Sequence, residues 1–218
     1  MSLKLYLHPL ASFCQKVIIA FYENGTPFEP RLVDLGDAAS RADFLRLWPM
    51  GKMPVLRDEA RDVTLPESSI IIEYLDQQYP GAVRLLPVEP ELALRTRLSD
   101  RFYDLHVQEP MQKVVTDTLR PEGRTDPHGV EQAKATLRTA YSVIEREMAT
   151  RQWAMGSSFT LADCSAAPAL YYANKVVPFG EEHRNTAAYL ARLMERPSFA
   201  RVLDEASPYL RLFPVKSP

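Results

Sequence analysis

The sequence predicts an α/β domain followed by an all-helical domain. In the first third of the chain, short runs of β-compatible residues alternate with helical patterns, and beyond it the strand patterns give way to long amphipathic helices. A proline-containing segment at residues 87–90 separates the two regions and is typical of a linker. We therefore expect one domain at residues 1–80, a linker at 81–90 and a second domain at 91–218.

The first domain begins with a strand, a helix and a second strand. The apolar run LKLYL at residues 3–7 precedes a segment, 13–23, with apolar residues at spacings of three and four. This pattern predicts a strand that leads into a helix, and Gly25 supplies the stop. Residues 28–33 are predicted as the next strand, and Pro30 favours an edge position because it cannot donate to a ladder.

A helix, a hairpin and another helix complete the first domain. The sequence FLRLW at residues 44–48 indicates a short helix. Two short apolar runs, 54–57 and 62–65, flank a charged turn and predict a hairpin. Residues 67–79 carry apolar side chains on one helical face. The predicted order is therefore βαβ-α-ββα.

Long helices dominate the second domain. Residues 91–108 and 129–152 are amphipathic, and the loop 120–129 between them is rich in Pro and Gly. Thr160 and Asp163 fit a capping box at the start of a further helix. We assign these two residues to folding and not to catalysis.

Composition excludes several classes of protein. Hydrophobic residues make up 46% and charged residues 25% of the 218 residues, which is too apolar for disorder and enough for a sizeable core. The net charge of −2 provides no basic surface for nucleic acid. The N-terminus lacks the apolar core of a signal peptide, and no run approaches the ~18 apolar residues that a membrane span needs. We therefore expect a cytoplasmic protein with no nucleic-acid or membrane partner.

The cysteines predict neither a disulfide scaffold nor a metal site. Only Cys14 and Cys164 are present, 150 residues apart. This spacing excludes the usual zinc patterns, and a disulfide is not expected in the cytoplasm. Both residues are expected to be reduced thiols.

Three motifs occur together in a defined order. They are PMGKMPVL at residues 49–56, LPES at 65–68 and FTLAD at 159–163. With the order of elements, they resemble the cytosolic glutathione transferases, in particular bacterial theta-like and zeta-like members, over nearly the whole chain. The resemblance implies a thioredoxin-like first domain that binds glutathione as co-substrate, and a helical bundle that forms the pocket for a small electrophile. It also implies a homodimer and no metal.

Glutathione is a tripeptide with an ammonium and a carboxylate at one end, a second carboxylate at the other end and a thiol between them. Glu67 suits the ammonium, and Ser68 with the free N–H groups of its helix suits the adjacent carboxylate. The alternative is that Glu67 or Ser68 only caps the helix.

The resemblance assigns four further residues to glutathione. The Met53-Pro54 bond corresponds to the cis-proline turn of the family, where the residue before Pro offers its backbone to the cysteinyl unit. Lys52 would lie near the glycyl carboxylate, unless it is a solvated surface lysine. Asp100 corresponds to an acidic residue that relatives send across a dimer interface toward the γ-glutamyl amine; otherwise it is an exposed helix charge.

At the residue that stabilises the thiolate, this chain departs from the family pattern. The family places a Ser or Cys at the position of Ala11, one residue before Ser12. We assign the catalytic role, donation of a hydrogen bond to the sulfur, to Ser12. The alternatives are that Ser12 is a plain N-cap, that Cys14 forms mixed disulfides instead of facing the core, or that Tyr6 or His8 serves.

Two aromatic pairs are candidates for the acceptor pocket. Tyr103 and His106 lie on the first long helix, and Tyr171-Tyr172 follows the capping box, although aromatics at helical spacing also occur in cores. The resemblance thus implies a glutathione S-transferase acting in detoxification. The alternatives are a non-catalytic interaction or regulatory protein, which Ala11 favours, and a glutathione-dependent isomerase or peroxidase.

Overall fold

The first domain contains a mixed four-stranded sheet. The computed structural model describes residues 2–214. The strand order is β2-β1-β3-β4, with β1 parallel to β2 and antiparallel to β3, which pairs with β4. The predicted edge position of the second strand is confirmed. The strands are β1 (Leu3–Leu7), β2 (Glu29–Leu32), β3 (Val55–Asp58) and β4 (Val63–Pro66).

Three helices cover the two faces of this sheet: α1 (Ser12–Asn24), α2 (Ala38–Leu47) and α3 (Ser68–Gln78). Helices α1 and α3 bury their apolar faces in the main core, whereas α2 packs Phe44 against Val33 and Val55 on the opposite face. Helix α2 begins six residues before the predicted segment, because the Asp37 side chain accepts a hydrogen bond from the Ser40 N–H at 2.7 Å. Its first turns are mostly exposed and contain no large apolar side chain, so the hydrophobic pattern did not reveal them.

The second domain is helical, as predicted. Among the described helices, none has the length and apolarity needed to cross a bilayer. Its helices are α4 (Pro90–Phe102), a π-helical segment (Tyr103–Gln108), α5 (Glu109–Asp117), α6 (Pro127–Met148), α7 (Leu161–Val176), α8 (Arg184–Glu195), α9 (Pro197–Ala206) and a 3₁₀ segment (Ser207–Leu212).

A buried lysine joins the two domains. Lys16 of α1 is 1% exposed, and its ammonium lies 2.6 Å from a carboxylate oxygen of Asp100 and 2.9 Å from one of Asp104. A buried ammonium is tolerated only when paired, so these contacts fix α4 and the π-helical segment relative to α1. Arg196 and Glu23 form a second interdomain ion pair at 2.6 Å.

The predicted capping box at the start of α7 is confirmed. Asp163 is buried, and its carboxylate accepts hydrogen bonds from the Thr160 N–H at 2.9 Å, the Ala154 N–H at 2.8 Å and the Tyr189 hydroxyl at 2.6 Å. One side chain therefore satisfies donors from three segments of the helical domain.

Asp163→Ala is expected to lower the free energy of unfolding by about 3 kcal/mol or more, because each buried donor left without a partner costs about 1–3 kcal/mol. The measurement is urea denaturation. Asp126→Ala is the matched control, since Asp126 caps the exposed start of α6 through the Gly129 N–H at 2.9 Å. Its loss is expected to be much smaller, and equal losses would contradict the structural role of Asp163.

Candidate functional site

A groove of about 150 Å³ lies beside the starts of β3 and α3. The sequence-predicted residues Lys52, Met53, Pro54, Glu67 and Ser68 all line it. Five side chains from two separate motifs thus surround one space, which is the arrangement required of a single ligand site.

A larger cavity, of about 850 Å³, lies between the two domains. Ser12 lines it from the first domain, and Gln108 and Tyr172 line it from the helical domain. Lys52 and Met53 line both the cavity and the groove. A ligand in the groove would therefore lie next to a second molecule in the cavity.

The turn before β3 has the geometry that the resemblance implies. The Met53-Pro54 peptide bond is cis. Pro54 is buried at the base of the turn, while Met53 is partly exposed and lines the groove.

The start of α3 is open toward the groove. Glu67 has a φ of 71°, an unusual value for a residue with a side chain, and it precedes the first helical residue, Ser68. Among the described residues, no side-chain hydrogen bond caps this helix. The structure therefore does not support the alternative that Glu67 or Ser68 only caps the helix. The first N–H groups of α3 remain available to an anion.

The start of α1 is open as well. Ala11 is the N-cap, and Ser12 is the first residue of the helix, so Ser12 is not the plain N-cap considered above. The Ala11 carbonyl accepts hydrogen bonds from the N–H groups of Cys14 and Gln15, at 2.8 and 2.9 Å. The N–H groups of Ser12 and Phe13 precede the first helical hydrogen bond and point out of the helix start.

The alternative thiolate-stabilising residues are differently placed. Cys14 is fully buried in the main core, and burial raises the pKa of its thiol to about 12. Tyr6 packs against Phe44, with ring centroids 6.3 Å apart, on the side of the sheet that faces α2. His8 lines the cavity, and burial lowers the pKa of its imidazole, which is therefore neutral at pH 7.

The structure corrects the acceptor-pocket prediction for Tyr103 and His106. Tyr103 is buried in the helical core, and His106 is exposed and lies tilted against Phe102, with ring centroids 5.5 Å apart. Both belong to the π-helical segment, whose wider turns shift the helical phase. This shift directs Gln108 to the cavity.

The second aromatic pair divides between the cavity and the core. Tyr172 lines the cavity, and its hydroxyl accepts a hydrogen bond from the Gln15 amide at 3.0 Å. Tyr171 instead packs edge-on against Phe199, with ring centroids 6.1 Å apart. Sequence reasoning missed Gln108 and Gln112, and their spacing of four residues is the signal that could have grouped them on one helical face.

Asp100 is neither an exposed helix charge nor a side chain that points out of the protein toward a dimer partner. It is 1% exposed, and its carboxylate contacts Lys16 at 2.6 Å and the Ser69 hydroxyl at 2.7 Å, as well as Ser165. The buried ammonium of Lys16 draws it inward. The side chain at this end of α4 that lines the groove is the next residue, Arg101.

The fold and the groove define a two-domain protein with a thioredoxin-like first domain. Family models agree: "Glutathione S-transferase, N-terminal domain" matches residues 5–83, and "Glutathione S-transferase, C-terminal domain" matches residues 103–197. The chain belongs to the glutathione S-transferase family.

Individual relatives carry two different names. A stringent starvation protein A homolog of Pasteurella multocida is 31% identical over 90% of this chain and 87% of its own. A glutathione S-transferase of Pseudomonas putida is 27% identical over 93% and 92%. The crystal structure of a glutathione S-transferase from Methylobacillus flagellatus with glutathione bound is 27% identical, with a TM-score of 0.83 over 92% of this chain and 98% of that one.

The folded protein is expected to resist alkylation by iodoacetamide at pH 8. Burial raises the pKa of both thiols, that of Cys14 to about 12 from 9.0, which lowers its thiolate fraction by roughly a thousandfold. Mass spectrometry should detect no modification of native protein and two modified cysteines in urea. Rapid labelling of native Cys14 would contradict its burial.

Proposed function

We propose that this chain is a glutathione S-transferase, which binds glutathione in the groove and adds its thiolate to a small electrophile held in the cavity. The observation that carries this proposal is the junction of the two spaces at Lys52 and Met53, beside the open start of α1. A thiol bound there would face a molecule in the cavity.

The charges of the groove complement those of glutathione. Glu67 and Lys52 are exposed and form no ion pair within residues 2–214, so each is free to meet a charge of the ligand. Glu67 would bind the ammonium and Lys52 the glycyl carboxylate. The Ser68 hydroxyl and the first N–H groups of α3 would donate hydrogen bonds to the other carboxylate, and the backbone of Met53 would hold the cysteinyl unit.

Ser12 and the start of α1 would stabilise the thiolate. Lowering a thiol pKa from about 8.5 by two units takes roughly 2.7 kcal/mol of preferential stabilisation. The Ser12 hydroxyl, the free N–H groups beside it and the helix dipole all favour a negative sulfur. Ser12 acts as a hydrogen-bond donor and not as a base.

The reaction requires little more from the protein than a positioned thiolate. The sulfur attacks an electrophilic carbon and forms a C–S bond, and a leaving group departs with the electron pair of the broken bond. Met111 and Val115 offer apolar contacts in the cavity, and Gln108 and Gln112 offer amides. These residues favour a small, mainly apolar electrophile with one polar group.

The cellular setting forms part of the same proposal. We place the protein in the cytoplasm as a homodimer. Two leucines on α4, Leu94 and Leu98, are 66% and 70% exposed and lie four residues apart on one helical face. Exposed apolar residues arranged in this way suit a contact with a second copy of the chain.

A non-catalytic regulatory protein is the second candidate. The name of the Pasteurella multocida relative and the Ala11 position favour it. Such a protein would retain the groove, with the bound thiol left at its ordinary pKa.

Isomerisation and peroxide reduction would start from the same thiolate as conjugation, and they differ from it only in the molecule that the cavity holds.

The decisive measurement is the ultraviolet absorbance of the thiolate of bound glutathione as a function of pH. The wild-type protein is expected to hold the thiol pKa about two units below its free value. Ser12→Ala is expected to raise this pKa by about one unit, equivalent to the loss of one hydrogen bond of about 1.4 kcal/mol to a charged acceptor. Cys14→Ala is the matched control and should leave the pKa unchanged.

Each outcome has a distinct meaning. Failure of the wild type to bind glutathione would refute the proposal. Binding with an unshifted thiol pKa would favour the non-catalytic alternative. A shift that responds to Cys14→Ala and not to Ser12→Ala would show that the catalytic role was assigned to the wrong residue.

A further inference from the structure

Arg101 is a cation at the groove that no motif predicted. It lies near the end of α4, lines the groove, and has a side chain 50% exposed. One guanidinium nitrogen donates to Asp104 at 3.0 Å. Within residues 2–214 the guanidinium makes no other hydrogen bond, so its remaining N–H groups are available to a ligand.

The packing of α4 on α3 brings Arg101 to the start of α3. Arg97, one turn earlier on α4, forms a two-pronged pair with Glu73 of α3, with both N–O distances 2.7 Å. Asp100 accepts from Ser69, which lies one turn before Glu73 on α3. The helices therefore run in opposite directions, and Arg101, one turn beyond Arg97 on the same face, lies beside the first turn of α3.

Asp104 holds Arg101 in place without neutralising it fully. The Asp104 carboxylate is buried and also accepts from the Lys16 ammonium at 2.9 and 3.1 Å. Its charge is thus shared between two cations. Arg101 is oriented by this contact and retains attraction for a further anion.

Glutathione has two carboxylates, and Lys52 can meet only one of them. The other, on the γ-glutamyl unit, would lie at the start of α3, where Ser68 and the backbone offer uncharged donors. We infer that Arg101 binds this γ-glutamyl carboxylate through its free N–H groups, with Asp104 as its positioning residue. This inference rests on the proposed function, and it makes Arg101 a determinant of preference for peptides that carry the γ-glutamyl carboxylate.

The test compares glutathione with 4-aminobutyryl-cysteinylglycine, which lacks only that carboxylate. Dissociation constants can be followed by tryptophan fluorescence, since Trp48 lines the groove. Arg101→Gln is expected to weaken glutathione binding about tenfold or more, because it removes a charge-assisted hydrogen bond to the carboxylate. It should leave the affinity for the analogue unchanged, so that the preference for glutathione falls by the same factor.

Arg97→Gln is the matched control, because it removes the same side chain from the same helix face one turn away. It should retain the preference of the wild type. The inference would be wrong if Arg101→Gln weakened both ligands equally, or if Arg97→Gln reduced the preference as much. A wild-type protein that binds neither ligand would refute the proposed function itself, which separates the two failures.

Discussion

The buried ammonium of Lys16 is the constraint on which the arrangement of the two domains depends. An uncompensated charge in a protein interior is very costly, and loss of one partner of a buried pair typically destabilises by about 3–5 kcal/mol. Lys16 contacts Asp100 and Asp104, and Asp100 in turn accepts from Ser69 and Ser165. The charge of one side chain in α1 therefore fixes α3, α4, the π-helical segment and α7 together.

This cluster also shapes the site. Asp104 faces the groove while it pairs with Lys16, so the same carboxylate that closes the domain interface orients Arg101 beside the start of α3. The π-helical segment that carries Asp104 shifts the phase of the helix behind it and directs Gln108 to the cavity. The π-helical segment thus contributes Asp104 to the groove and Gln108 to the cavity, beside lining residues from α4, α5 and α7.

Local patterns predicted the fold well, because strands, helix stops and the capping box depend on neighbouring residues. The groove residues Lys52 to Pro54, Glu67 and Ser68 were also predictable, since they occur in compact motifs. The position of Asp100 could not be predicted in this way. Its side chain is oriented by Lys16, which lies 84 positions earlier in the sequence. Tyr103 and His106 were misassigned because a π-helical segment leaves no clear signal in apolar spacing.

The substitution at position 11 changes how the start of α1 can work. A Ser at an N-cap commonly accepts a hydrogen bond from its own helix, whereas Ala11 leaves that donor without a side-chain partner. A thiolate seated here would therefore meet backbone N–H groups that compete with no capping oxygen, in addition to the hydroxyl of Ser12. Under the proposed function, the helix start itself would carry much of the stabilisation of the sulfur, and the missing hydroxyl at position 11 would not by itself imply loss of chemistry.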